Sequence, residues 1–138
     1  MTDKLSKVEI ESRLNRFSGT EEYHRFNMMF RNVVATDGAM EMANLCGAYW
    51  LLDVVGSWQR KIVQKFGPKE GLEFQNWTLK KRPRAGGCIV TCDDGNGNKM
   101  VSQTIPYTDF PLDKFGFYCM LSEVSDGKVM VILLKNEY

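Results

Sequence analysis

The sequence predicts an α+β fold in which N-terminal helices pack on an antiparallel sheet of four to five strands, giving two layers. One observation is the segment at residues 48–66, AYWLLDVVGSWQRKIVQKF, whose first half is apolar on nearly every side. A globular protein tolerates such a helix only where it is buried. The other observation is a change in sequence pattern after residue 68. From there on, Gly- and Asn-rich turns separate short segments in which polar and apolar residues alternate. We therefore predict one domain over residues 1–138, with its sheet at residues 73–134.

A short first helix is predicted over residues 7–16. Ser6 and Glu9 fit the capping box S-x-x-E, in which each side chain accepts a hydrogen bond from the backbone amide of the other residue. Residues 22–29 are rich in β-forming side chains. Their apolar residues, however, follow neither the period of a strand nor that of a helix. We interpret them as a strand or an extended segment.

Central helices are predicted over residues 38–66. Thr36 or Asp37 is expected to cap the first of them, because a short side-chain oxygen accepts from the free amides of the first turn. Gly47 allows a kink or a break, and Gly67-Pro68 ends the second helix. One polar stripe runs along that helix at Asp53, Ser57, Arg60 and Gln64. We therefore expect a buried helix with one solvent-exposed edge.

Strands are predicted at residues 73–81, 88–92, 99–105, 117–124 and 128–134. The segment DDGNGN at residues 93–98 consists of the residue types that hairpin turns prefer, so it predicts a turn between two strands. Ser125-Asp126-Gly127 predicts a second turn. Residues 106–112 hold two prolines, which exclude a central strand there. The run VMVILL near the C-terminus is apolar on both faces, so we place it in the middle of the sheet or under a helix.

The composition is that of an ordinary globular protein, with 43% hydrophobic and 25% charged residues. The net charge of +1 provides no overall field that would draw the chain to nucleic acid or membrane, although a local patch would do so. No apolar run reaches the roughly 18 residues of a membrane span, and the charged N-terminus lacks the apolar block of a signal peptide. We expect a cytoplasmic protein with reduced cysteines.

Neither a metal nor a cofactor is expected. The segment beginning at Asp94 resembles a calcium loop, but Lys99 and Ile105 stand where an EF-hand requires Gly and Glu. Cys88 and Cys92 share one face of a strand, yet no C-x-x-C pair accompanies them. We interpret them as buried thiols that act as small hydrophobic side chains.

No catalytic residues are expected, since the sequence contains no G-x-S-x-G, P-loop or H-E-x-x-H motif. His24 is the single histidine and has no nucleophile motif beside it. Asp53 lies on a mostly apolar helix, so we expect it to pair with Arg60 or Ser57 on its own stripe. Asp109 lies in the proline-flanked loop, where it is expected to bond its neighbours' amides. An enzyme would need these groups to converge in one pocket.

One cationic cluster stands out in the sequence, at Lys80, Lys81, Arg82 and Arg84. Lys99 is expected near it across the sheet, and Arg60, Lys61 and Lys65 extend it if the end of the helix lies close by. With the cations holding phosphates and Trp77 stacking a base, the cluster predicts a site for RNA or single-stranded DNA. The alternative is a solvated strand end whose charge prevents pairing at the sheet edge.

Three motifs carry a resemblance: TDGA at residues 36–39 leading to GAYWLLD at residues 47–53, FQNWTL at residues 74–79, and YTDFPL at residues 107–112. Together they resemble a family of small bacterial proteins known only as a domain of unknown function, over about residues 17–134. The resemblance implies an origin in Bacteroidetes-type genomes, phages or plasmids, and it implies no catalytic residues. Proteins carried by such mobile elements often bind and block a host factor.

Two functions from different classes stay open, with an enzyme as a third. The first is a non-enzymatic inhibitor from a phage or mobile element that binds a host protein or ribonucleoprotein, such as a CRISPR effector or another defence nuclease. Its surface would include the cationic cluster and the aromatic side chains near Tyr107. The second is direct binding of RNA or single-stranded DNA by the cationic cluster. No membrane partner is expected, and the two functions coexist if the target contains a guide RNA.

Overall fold

The computed structural model describes residues 5–20, 22–67, 69, 73–124 and 127–138. Its helices are α1 at Lys7–Leu14, α2 at Asp37–Cys46 and α3 at Tyr49–Phe66, with short 3-10 turns at Met28–Phe30 and Lys135–Glu137. Its strands are β1 at Tyr23–Arg25, β2 at Val33–Thr36, β3 at Gln75–Lys81, β4 at Cys88–Asp93, β5 at Lys99–Ile105, β6 at Lys114–Val124 and β7 at Gly127–Leu134.

The strands form one seven-stranded mixed sheet in the order β1-β2-β7-β6-β3-β4-β5. The predicted α+β class is confirmed, but the predicted antiparallel sheet of four to five strands is wrong. Strand β2 pairs with β7 in parallel, with Val34 opposite Val131, while the other neighbouring strands are antiparallel. The N-terminal half of the chain therefore adds two strands to the sheet that was predicted within residues 73–134.

The two additional strands lie where the sequence pattern is weakest. Strand β1 occupies three residues of the extended segment predicted at residues 22–29, and the rest of that segment leads into the first 3-10 turn. Strand β2 is buried on both faces, so it lacks the alternation of polar and apolar residues that identifies a strand in a sequence. Its parallel partner β7 follows about a hundred residues later in the chain, and no local signal predicts such a pairing.

The other predicted strands are all found. Strands β3 to β7 cover the five predicted segments with end shifts of three residues or fewer. The apolar run VMVILL forms most of β7, which lies between β2 and β6 in the interior of the sheet, as predicted.

The helix boundaries follow from local capping. The capping box at the start of α1 is present as predicted, and Thr36 Oγ1 accepts a hydrogen bond from the Ala39 amide at 3.1 Å to cap α2. Gly47, at φ 60°, ends α2 in the left-handed conformation and separates it from α3. The predicted stop at Pro68 and the turn residues 125–126 lie outside the described residues.

Alternation along β3 separates the two faces of the sheet. Trp77 and Leu79 belong to the hydrophobic core, which also contains Leu52 of α3. Thr78 and Lys80 point the other way and keep part of their surface exposed. We call this second surface, made by Thr78, Lys80 and the residues beside them on neighbouring strands, the open face.

A pair of carboxamides joins α3 to β3 inside the core. Gln59 Nε2 donates to Gln75 Oε1 at 2.9 Å, and Gln75 Nε2 donates to Gln59 Oε1 at 2.8 Å. Gln75 Oε1 also accepts from Trp77 Nε1 at 2.9 Å, and Gln59 Nε2 donates to the Val55 carbonyl at 3.0 Å. Because buried polar groups must be paired, these bonds fix the position of α3 along β3.

We expect Gln75→Leu to destabilise the protein more than Gln59→Leu. The first change leaves both the Gln59 carboxamide and the Trp77 N–H short of a partner, whereas the second affects only the Gln75 carboxamide. Leaving a buried polar group unpaired costs about 1–3 kcal/mol, so we expect a loss of about 3 kcal/mol for Gln75→Leu. We expect a smaller loss, of about 1 kcal/mol, for Gln59→Leu, because Gln75 Oε1 still accepts from Trp77 Nε1. Urea unfolding followed by tryptophan fluorescence measures both values. Equal losses in the two variants would contradict the assigned geometry.

Candidate functional site

A groove of about 730 Å³ lies on the open face. It is built by β3, β4, β5, the start of β6 and the loop between β3 and β4. Its lining consists of Thr78, Lys80, Lys81, Arg82, Pro83, Arg84, Ala85, Ile89, Thr91, Lys99, Ser102 and Lys114. We call this surface the cationic groove, since six of its side chains are Lys or Arg.

Strand register brings the side chains of the groove together. Lys80 of β3 is paired with Lys114 of β6, so two ammonium groups project from neighbouring strands. Thr91 of β4 is paired with Thr78 on one side and with Ser102 on the other. Directly opposed residues in a sheet point to the same face. A row of hydroxyl groups therefore crosses the groove beside the two lysines.

The loop after β3 is held in one conformation by its own backbone. The Arg82 amide donates to the Gly87 carbonyl at 3.0 Å, and the Gly86 amide donates to the Arg82 carbonyl at 2.9 Å. Gly87 has φ +70°, and a Cβ there would approach the Ile105 carbonyl oxygen to 1.9 Å, so only glycine fits against β5. This constraint fixes the course of the loop that carries Arg84, one of the lining residues of the groove.

The groove cations form a local excess of positive charge. None of the lining residues that the structure describes is acidic. In the described part of the chain, neither of the two ion pairs includes a groove cation. Burial raises the pKa of Cys88, and the charges of Arg82 and Lys81 partly oppose that rise.

The structure brings together five of the residues that were predicted to bind a partner, namely Lys80, Lys81, Arg82, Arg84 and Lys99. It adds Lys114, which was not predicted. Strand β6 begins three residues before the segment predicted from residue 117, and only the pairing with β3 places Lys114 beside Lys80.

The remaining predicted binding residues lie outside the groove. Trp77 is 0% exposed on the core side of β3, so its ring is not accessible to a base. Arg60 and Lys61 are exposed on α3, which packs on the core side, and Lys61 Nζ lies 4.9 Å from the centroid of the Trp58 ring. Tyr107 is 80% exposed in the loop that follows β5, but it does not line the groove.

The partner of Asp53 differs from the prediction. Asp53 Oδ1 accepts a hydrogen bond from Asn27 Nδ2 at 3.0 Å, so the predicted pairing with Arg60 or Ser57 is wrong. The Ser57 hydroxyl instead donates to the Val54 carbonyl at 2.8 Å within the helix. Asn27 lies far away in sequence, on the segment between β1 and the first 3-10 turn, and only the fold brings it to α3.

His24 and Asp109 are not part of the groove. His24 Nε2 lies 2.6 Å from Asp37 Oδ1 at the start of α2. In the loop around Asp109, the Phe110 amide donates to Thr108 Oγ1 at 3.1 Å, a role that was expected of Asp109. Among the residues that the structure describes, no group of three His, Cys, Asp or Glu side chains is placed to hold a metal ion.

The four cysteines are free and buried, as predicted for Cys88 and Cys92. Burial raises the pKa of Cys46 to about 11. Burial is also the main cause of the raised pKa of Cys92 and the cause of the raised pKa of Cys119. These thiols therefore stay protonated at neutral pH and contribute to the core as apolar side chains.

The fold and the groove together define a small α+β protein whose sheet carries the hydrophobic core on one face and a cationic groove on part of the other. Residues 8–138 match DUF6876, a family of unknown function, and the chain belongs to that family. The resemblance to a family of unknown function is thereby confirmed. No curated protein matches the sequence, and no solved structure matches it. No helix in the described ranges is long and apolar enough to cross a membrane.

The buried thiols lead to a prediction about reactivity and pH. At about pH 8, we expect dithiobisnitrobenzoate to label the folded protein much more slowly than the urea-unfolded protein, because only an accessible thiolate reacts. Above about pH 9, the free energy of unfolding is expected to fall, since unfolded thiols release protons that the native state keeps. Labelling kinetics and urea titrations at two pH values measure these effects. A rapidly labelled cysteine in the native protein would contradict the burial of the thiols.

Proposed function

We propose that this protein binds single-stranded RNA or DNA through the cationic groove. The observation that carries the proposal is the set of six Lys and Arg residues that line one groove, with no acidic residue in the described lining. On a protein with a net charge of only +1, this cluster forms a local positive field. Lysine and arginine neutralise phosphates and release their counterions, which drives binding to a nucleic-acid backbone.

The opposed lysines support the proposal. Lys80 and Lys114 face each other on paired strands, and like charges directly opposite each other destabilise a sheet. A bound anion between them would offset that cost. Strands β3 and β6 lie in the interior of the sheet, so protection of a sheet edge does not account for this pair.

The polar lining also suits a nucleic-acid backbone. The guanidinium groups of Arg82 and Arg84 are able to donate two parallel hydrogen bonds to one phosphate. The hydroxyls of Thr78, Thr91 and Ser102 supply neutral donors for phosphate or sugar oxygens. Contacts of these kinds position a strand without reading its sequence, so binding is expected to tolerate many sequences.

A second candidate function is inhibition of a host defence factor, such as a CRISPR effector, by contact and without catalysis. Met28 and Met29 support it, since they are 70% and 83% exposed on a 3-10 turn whose third residue, Phe30, packs against the core. Adaptable apolar side chains of this kind are common on protein-docking surfaces. An origin in a phage or plasmid and a cytoplasmic location belong to this proposal. With a ribonucleoprotein target, the turn and the groove would act together.

Neutralising the groove is expected to weaken binding of a labelled oligonucleotide. In the double variant Lys80→Gln and Arg84→Gln, two phosphate contacts are lost, so the slope of log K against log salt concentration should fall by about 1.4 for a single strand. Fluorescence anisotropy between about 50 and 200 mM salt measures the affinities and the slopes.

The matched control changes the same types of residue on the helix layer. The variant Arg60→Gln and Lys61→Gln loses equal charge but leaves the groove intact, so its affinity is expected to stay within about twofold of wild type. Equal losses of affinity in the two variants would show that binding depends only on the total charge of the protein. The absence of binding by micromolar wild-type protein at low salt would refute the proposed function.

The docking role of the 3-10 turn makes a separate prediction. Met28→Ser with Met29→Ser should lose a protein partner that the wild type captures from RNase-treated bacterial lysate, with an affinity change of about tenfold or more. The control is Val8→Ser, which removes another exposed apolar side chain on α1. Recovery of the same partner by both variants would exclude the turn as its docking site.

A further inference from the structure

An aromatic cluster lies on the open face beyond the cationic groove. The ring centroids of Phe74 and Tyr118 are 4.8 Å apart, and that of Tyr138 lies 5.9 Å from Phe74 and 5.5 Å from Tyr118. Tyr138 is 74% exposed and lines, together with Phe74, a second depression of about 650 Å³. We call these three rings, which meet at steep angles, the aromatic platform. We propose that its exposed ring, Tyr138, stacks a base of the same strand whose phosphates occupy the groove. This inference rests on the proposed function and defines the ligand as single-stranded.

Strand register places the platform in line with the groove. On β3 and β6, Lys80 is paired with Lys114, and Asn76 is paired with Tyr118. The two pairs are four residues apart along each strand, which corresponds to about 13 Å at about 3.3 Å per residue. An even separation keeps both pairs on one face of the sheet. An extended oligonucleotide can therefore reach both surfaces at once.

Lys135 fills the space between the two surfaces. A Cβ on Gly116 would lie 2.8 Å from Lys135 Nζ, so the end of the lysine side chain rests directly over this glycine. The same ammonium nitrogen is 5.6 Å from the centroid of the Tyr118 ring. Gly116 is midway between Lys114 and Tyr118 on β6. Positive charge therefore continues from the groove to the edge of the platform.

Acidic and amide groups around the platform favour a base over a phosphate. Glu73 and Asp94 line the depression with Asn96 and Asn98. The Asn98 side chain and the Asn96 amide each donate to Asp94 at 2.8 Å and hold the pKa of that carboxyl below its usual value. The resulting negative charge repels phosphate, whereas the exocyclic amino groups of bases donate to carboxylates. The backbone of the ligand is thus directed to one end of the face and a base to the other.

A double helix does not satisfy this arrangement. Paired bases cover one another's faces inside a duplex, so none of them is available to an aromatic side chain unless it is unstacked. Unpaired bases stack on aromatic rings with little dependence on sequence, because every base has a π-face. The combination of a cationic groove and a separate platform therefore selects single strands.

The test compares oligo(dC) of about 12 nucleotides, a typical site size for single-strand binding, with an abasic strand of equal length and charge. Wild-type protein should bind oligo(dC) about tenfold or more tightly than the abasic strand in anisotropy titrations, because only oligo(dC) offers a base to stack. Tyr138→Ala should abolish most of that difference and leave the affinity for the abasic strand unchanged. Tyr138→Phe keeps the ring and should retain the preference.

A further variant tests the connection between groove and platform. In Gly116→Ala, the new methyl group displaces only the flexible end of Lys135, so folding should be preserved. Because a cation is moved away from the backbone path, both ligands should bind more weakly by a similar factor. An unchanged affinity for both ligands would overturn the assigned path of the strand.

The outcomes separate the platform from the groove. If wild-type protein binds both strands equally, the platform is refuted while the proposed function stands. An equal decrease in affinity for oligo(dC) and for the abasic strand in Tyr138→Ala also refutes the platform. If neither strand binds at low salt, the proposed function itself fails. If polyglutamate of matching charge binds as tightly as oligo(dC), the ligand is an acidic polypeptide and the nucleic-acid assignment is overturned.

Discussion

The rest of the structure depends on the reciprocal carboxamide bonds between Gln59 and Gln75. Both residues are buried, and each side chain donates to and accepts from the other. A shift of α3 along β3 would break both bonds together and would also disturb the contact between Gln75 and Trp77. The pair thereby holds α3 over the face of the sheet that carries Trp77, whereas Thr78 and Lys80 on the opposite face of β3 keep part of their surface exposed.

The position of Lys80 follows from the side of β3 on which α3 packs. Side chains alternate along a strand, so a helix layer that covers Trp77 must leave Lys80 on the other side. Lys80 and Lys114 then stand opposite each other, an arrangement that costs stability in a sheet. Local arrangements of residues that lower the stability of a fold are expected at functional surfaces. The groove, Lys135 and the aromatic platform give this face a charge pattern that matches a strand with anionic backbone and uncharged bases.

The features predicted correctly are those that neighbouring residues decide. The caps of α1 and α2, the break at Gly47 and the turn at residues 93–98 each depend on side chains a few positions apart. The features predicted wrongly or not at all involve distant partners. Strand β2 pairs with β7, and Asp53 bonds Asn27 rather than a residue on its own helix. Contacts between residues far apart in the chain produce no periodic pattern in the sequence. Neither partner, taken alone, is surrounded by residues that indicate the contact.

By itself, the sequence determined the α+β class, the N-terminal caps of α1 and α2, and the run of cations from Lys80 to Arg84, since local propensity and spacing decide these features. The tertiary structure alone decided that Trp77 is buried while Lys80 is open, because the covered face of a strand depends on where a helix packs. It also brought Lys114 and Lys135 to the same surface as that run. Their positions are set by strand pairing and by the chain after β7, which have no counterpart in local sequence.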